Sequence, residues 1–68
     1  MTPEQFKAWR DQEGFTQDEA ADVLGISKGS VRNYELGSRR EDGRAVTIPK
    51  TVALACAAVS AGLQPAGG

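Results

Sequence analysis

The stretch DVLGISKGSVRNYE, residues 22–35, ends one helix and begins another within three residues. Helical patterning runs up to Leu24. Gly25 breaks it, and Ser27 can cap a new helix at once. Two helices joined by a three-residue turn with a glycine make a helix-turn-helix, which sets its second helix at an angle suited to a major groove. A small residue at Ala21 lets the two helices cross closely at such a turn, and Gly25 tolerates the left-handed backbone it requires.

The remaining segments frame this unit. Thr2 can cap a first helix, Pro3 suits its first position, and Gln5 completes a capping box. Phe6 and Trp9 form its apolar stripe, and Gly14 stops it. Thr16 and Glu19 form the capping box of a second helix over 17–24, with Ala20, Ala21 and Leu24 on one face. Ile26 should plug the corner. A third helix follows Ser27 and runs to about Leu36, with Val31 and Tyr34 inward and Gly37 as its stop. Residues 37–48 read as a loop, in which RAVTI is a candidate extended segment. Pro49 reads as the first position of a fourth helix over about 49–61, stopped by Gly62. The pattern predicts one all-α, four-helix domain over 1–63, its helix-turn-helix over 17–36, and a disordered tail over 64–68.

A core in a chain of 68 residues supplies only roughly 3–5 kcal/mol without further support. The single cysteine excludes an internal disulfide, and the absence of histidine leaves Cys56 unable to build a zinc site. Oligomerisation is the expected support, with efficient helix packing as the alternative. The missing histidines also exclude Ser-His, Cys-His and His-metal chemistry, and no phosphate-loop or dinucleotide fingerprint is present. No enzyme, cofactor or small-molecule ligand is expected. Residues 1–20 are too polar for a secretory leader, and the longest apolar run, Val52–Val59, falls far short of the ~20 residues that span a bilayer. A cytoplasmic, nucleoid-associated protein is expected, without a membrane partner.

Net charge is −1, but it is unevenly placed. Residues 1–27 carry two basic and six acidic side chains, a net of −4. Residues 28–50 carry six basic and three acidic ones, a net of +3, and residues 51–68 carry none. Such asymmetry points to contact with a polyanion, against the alternative of an ordinary solvated surface.

Residues 16–37, TQDEAADVLGISKGSVRNYELG, resemble the phage-repressor (Cro/C1, XRE-type) helix-turn-helix family. Gln17 matches the first position of its motif, Ala21 the small helix-contact position and Gly25 the turn glycine. Ala20, Leu24, Ile26, Val31 and Tyr34 stand where the family has its core. Arg10 and Glu35 match a pair that ties the first helix to the third. The resemblance covers about residues 5–37 and implies a lambda-repressor-like fold. It departs afterwards, where the loop over 37–48 is longer than usual and one alanine-rich helix replaces the family's last two.

Several residues then become candidates for duplex DNA. Ser27 leaves the amino end of the third helix exposed, with free N–H groups that favour phosphate. Arg32 can bridge guanine and Asn33 adenine, while Lys28 can reach a guanine or a phosphate. Gly29 lets the helix approach DNA closely, or is merely a surface glycine near a helix start. By resemblance, Thr16, Gln17 and Ser30 hold phosphates. Arg39, Arg40 and Arg44 are either backbone contacts or solvated loop charge. Trp9 reads as core, and Arg10–Glu35 as a structural pair in a partly buried setting.

The fourth helix is apolar nearly all round, so it should be buried from more than one side. One face covers the helix-turn-helix. The other is expected to meet a second subunit through Val52, Leu54, Ala55, Ala58, Val59 and Leu63, unless the helix is wholly buried in a monomer. Cys56 reads as a small apolar residue. The composite expectation is a homodimeric repressor on an inverted repeat, its own promoter among the candidate targets, similar to short phage or mobile-element regulators such as anti-CRISPR-associated repressors. A chain this short suggests occlusion of a promoter rather than signalling. The alternative is an interaction module or antitoxin-like adaptor that docks a partner through the fourth helix.

Overall fold

Local capping sets the helix boundaries in the computed structural model, which describes residues 1–39 and 41–67. Four helices follow one another: α1 Pro3–Glu13, α2 Gln17–Leu24, α3 Lys28–Leu36 and α4 Lys50–Ser60. At α1 the Gln5 amide N–H donates to Thr2 Oγ1 at 3.1 Å, and the Thr2 N–H donates to Gln5 Oε1 at 2.8 Å. Thr16 and Glu19 repeat this exchange at α2, at 3.1 and 2.9 Å. Each box satisfies two N–H groups that a helix start would leave orphaned. At α3 the Ser30 N–H donates to Ser27 Oγ at 3.0 Å.

The turn of the helix-turn-helix is a Schellman closure. The Ile26 N–H donates to the Ala21 carbonyl and the Gly25 N–H to the Asp22 carbonyl, at 3.0 and 3.2 Å. Gly25 has φ 70°, a left-handed value that costs an L-residue with a side chain strain. Gly37 closes α3 at φ 76°, and there space is short as well. A Cβ at that position would lie 3.1 Å from Pro3 Cγ, so the end of α3 packs directly on the start of α1.

The core consists of Phe6 and Trp9 from α1, Ala20 and Ala21 from α2, Val31 from α3, Ile48 from the loop, and Val52 and Cys56 from α4. Phe15, Leu24, Ile26, Tyr34 and Val59 pack on its edge. Phe6 is fully buried, with Trp9 and Tyr34 ring centroids 5.8 and 5.7 Å away, and Phe15 meets Trp9 edge-on at 5.8 Å. Such aromatic pairs add about 0.5–1.5 kcal/mol each beyond area burial.

Trp9 also fastens α4. Its Nε1–H donates both to the Cys56 carbonyl at 3.1 Å and to Ser60 Oγ at 3.0 Å. The Ser60 hydroxyl donates onward to Glu13 Oε2 at 3.0 Å. Trp9 is thus a core residue, with its indole polarity spent on joining α1 to α4.

Three expectations change. Pro49 stands one residue before the helix, as its N-cap at φ −60° and ψ 148°, so α4 begins at Lys50. The extended segment shrinks to a single antiparallel bridge between Ser38 and Ala45, braced by the Arg39 N–H on the Arg44 carbonyl at 2.8 Å. Val52, expected at a subunit interface, is 8% exposed and belongs to this chain's own core. By contrast, α4 is not wholly enclosed: Leu54 is 60% exposed and, just beyond the helix, Leu63 is 65% exposed.

Candidate nucleic-acid interface

The angle between α1 and α3 is fixed by a charged pair. Arg10 Nε donates to Glu35 Oε2 at 2.6 Å and its second amino group to Glu35 Oε1 at 3.1 Å. A third donor of the same guanidinium reaches the Phe15 carbonyl at 3.0 Å. Side-chain exposure is 15% for Arg10 and 9% for Glu35. The hydrogen bonding that Arg10 donates to Glu35 is the main cause that raises the Arg10 pKa above its ordinary value, working against desolvation. This fork-to-fork geometry holds α3 in one orientation, because arginine's donors are planar and preorganised.

Upon that brace, α3 turns Val31 inward and leaves Gly29 exposed, with Lys28, Ser30, Arg32 and Asn33 partly so. Lys28 Nζ lies 3.2 Å from Asp18 of α2. Exposed pairs of this kind contribute only about 0–1 kcal/mol, so Lys28 is readily drawn to another anion. Gly29 is not demanded by packing. A Cβ there would meet only Ser27 Oγ, at an ordinary 3.8 Å.

The residues expected on phosphates divide. Ser27 and Ser30 hydroxyls bond each other at 3.0 Å, and Ser27 Oγ also serves the cap. Thr16 Oγ1 serves the α2 box. Gln17 Nε2 is turned inward toward Glu35 Oε1, at 3.4 Å. Among the loop arginines, Arg39 lies 3.7 Å from Glu41 and Arg44 lies 3.6 Å from Asp42. Arg40 lies outside the described residues. The positive charge counted along residues 28–50 is therefore partly neutralised by near neighbours.

A cleft of about 350 Å³ opens where α1, α2 and α3 meet, lined by Lys7, Gln17, Arg32, Glu35 and Leu36. It groups Arg32 with Lys7, a residue that sequence reasoning passed over. The signal was available: Lys7 is three residues before Arg10, hence on the same side of α1.

Elsewhere, α4 and the end of α2 flank an apolar groove of about 610 Å³. Ala55, Ala58, Val59 and Leu63 line it together with Val23 and Leu24. These include four of the six residues expected at a subunit interface. Leu54 stands outside the groove, and Val52 lies in the core.

With this geometry in place, comparison with known families is decisive. A family model described as helix-turn-helix matches residues 6–41, just over half of the chain. The chain belongs to the phage-repressor (XRE, Cro/C1) type of helix-turn-helix family. The match includes most of α1, both helices of the motif and the Arg10–Glu35 pair, and ends before α4. No curated protein and no solved structure matches the chain. The family is one of DNA-binding regulators, usually without enzymatic activity. Among the described residues, no cluster of His, Cys, Asp or Glu is placed to hold a metal ion, and no helix is long and apolar enough to cross a membrane.

Proposed function

We propose that this helix-turn-helix protein is a homodimeric transcriptional repressor that reads an inverted repeat in duplex DNA. The observation that carries this reading is the amino-terminal half of α3. It emerges from the Gly25 turn, is held in orientation by the Arg10–Glu35 fork, and presents Lys28, Gly29 and Asn33 on a side not committed to the core. These are groups of the kind that reach base edges, with Gly29 allowing close approach.

Dimerisation is supported by the apolar surface that α4 leaves open, above all Leu54, Leu63 and the groove along Ala55, Ala58 and Val59. Two copies joined there would place two recognition helices on one face of a duplex. Occlusion of a promoter, including the protein's own, follows as the simplest action. Selection from a random duplex pool tests the reading. The expected product is a palindromic motif whose half-sites lie about one helical turn, ~34–36 Å, apart. Sedimentation at tens of micromolar should show a dimer, and Leu54→Lys should yield monomer. A wild-type monomer would refute the dimer.

A second reading is favoured by the same groove. An apolar channel of about 610 Å³ beside an acidic α2 also suits a protein partner, as in antitoxin-like adaptors. Retention on random duplex that weakens steeply with salt separates the two, since only the DNA reader shows it.

A further inference from the structure

The cleft between α1, α2 and α3 gathers two cations from different helices. Its floor carries Glu35, but that carboxylate is already engaged by Arg10 at 2.6 and 3.1 Å and by Gln17 at 3.4 Å. Its rim carries Lys7 and Arg32. Among the described residues, neither of these two cations makes an ion pair, whereas Lys28, Arg39 and Arg44 each lie within 3.2–3.7 Å of an acid. The cleft therefore holds two uncommitted positive charges above a neutralised base. Its volume of about 350 Å³ leaves room for a tetrahedral oxyanion with water.

We propose that Lys7 and Arg32 together hold one backbone phosphate of a duplex across this cleft. The proposal rests on the DNA-binding reading above and sharpens it in two ways. It adds α1 to the interface through Lys7. It also moves Arg32 from base reading to positioning, so that Lys28, Gly29 and Asn33 are left to meet base edges. The ligand is a phosphodiester within a duplex, whose register on the protein the clamp would fix without reading sequence. Arginine supplies a planar fork for two phosphate oxygens, and lysine a mobile point charge from the facing helix.

The test compares wild type with Lys7→Gln, Arg32→Gln and Arg32→Lys, and with Asn33→Ala as the base-reading control. Binding-site selection is run first, then affinity for the selected duplex between 50 and 200 mM salt. Lys7→Gln and Arg32→Gln should select the wild-type motif and bind all sequences more weakly. Each lost contact should flatten the salt slope by about one unit, which is roughly a 4-fold smaller loss of affinity over that salt range. Arg32→Lys should keep most of the slope. A duplex with one methylphosphonate per half-site, scanned along the backbone, should locate a position that weakens wild type more than either glutamine variant and leaves the double variant Lys7→Gln/Arg32→Gln unchanged. Thermal melts within a degree or two of wild type show that the variants fold.

Relaxed preference at one base pair in Arg32→Gln would overturn the proposal by making Arg32 a base reader. So would a salt slope unchanged in Lys7→Gln. Competition by inorganic phosphate alone, at millimolar levels and without effect of either substitution on duplex binding, would show a free-anion site instead. Failure of wild type to bind any duplex would defeat the DNA reading itself, and would be seen before a variant is compared.

Discussion

The segment from Thr2 to Gly37 and the segment from Ser38 onward are assembled by different forces. In the first, each helix begins at a side-chain cap within three residues and ends at a left-handed glycine. These contacts are short in sequence and polar in kind. In the second, α4 has no side-chain cap, and it is fastened by partners 47 and 51 residues away, through Trp9. Among the described residues of the loop before it, Ile48 is the one buried in the core. The first segment is specified locally and braced by one ion pair. The second is held by what it packs against. Breaking each kind of contact should therefore have a different signature.

The largest effect is expected at the brace of the first segment. Removing one partner of a fully buried ion pair costs about 3–5 kcal/mol, because the other charge is left unpaired, and of an exposed pair about 0–1; this partly buried pair falls between the two, nearer the larger figure. Arg10→Ala also orphans the Phe15 carbonyl. Arg10→Ala and Glu35→Ala should each lower the melting temperature sharply or unfold the chain. The double variant should cost less than the sum, since neither charge is stranded. Melts of the single variants within a degree or two of wild type would show that the pair is not the brace.

The next effect belongs to the second segment and is read through pH. Cys56 is 1% exposed, and burial pushes its thiol up from 9.0 to about 11. Between those values the unfolded chain has lost the proton while the folded chain still holds it. Stability from this group is thus complete below about pH 9 and is lost as pH rises toward 11. The slope is at most roughly 1.4 kcal/mol per pH unit. Denaturant titrations of wild type and Cys56→Ala should differ by that slope across the window. Parallel pH dependence in the two proteins would remove Cys56 from the alkaline transition.

The same contrast decides what was legible from sequence. The caps, the glycine stops, the Gly25 turn and the Arg10–Glu35 pair all leave marks at fixed short spacings or at matched positions of the family motif, and all of these features are present in the structure. Ile48 and Phe15 leave no such mark, for each is a lone apolar residue beside a helix end, without periodicity to show which way it points. The Trp9 indole bond to the Cys56 carbonyl is illegible in principle from one sequence, since any carbonyl of α4 would serve. Val52 lies in the core and not at an interface, a distinction the sequence does not carry, because α4 is apolar on several faces and apolarity alone does not say which face turns inward. The cleft failed for another reason. A count of charges along residues 28–50 ignores that Asp18, Glu41 and Asp42 fold back onto three of those cations, while Lys7 lies outside the counted segment.

A smaller loss should separate α4 from the rest. Trp9→Phe keeps an aromatic ring in the core but removes the donor to the Cys56 carbonyl and Ser60. A lost buried hydrogen bond of this type costs about 1–3 kcal/mol. Amide exchange should quicken over residues 50–60 more than over α2 and α3. Uniform quickening would mean that the two segments open as a single unit and that the contrast between them has no dynamic counterpart.

The smallest change in stability carries the most information about function. Gly29 is in the first turn of α3, exposed, with space for a methyl group and no left-handed backbone to preserve. Replacing glycine by alanine in a helix is expected to stabilise by about 0.5–1 kcal/mol, less near a helix start, through the reduced entropy of the unfolded chain. If folding alone determined this position, alanine would be the better residue. The first turn of a recognition helix is also where the backbone comes nearest to the base edges, and a methyl group there occupies the space a base or sugar would need. Gly29→Ala should therefore raise the melting temperature by a few degrees and weaken duplex binding together. A variant that is more stable and binds its selected duplex as tightly as wild type would show that α3 stands off from the groove at this point, and the approach of the helix would have to be redrawn around Lys28 and Asn33.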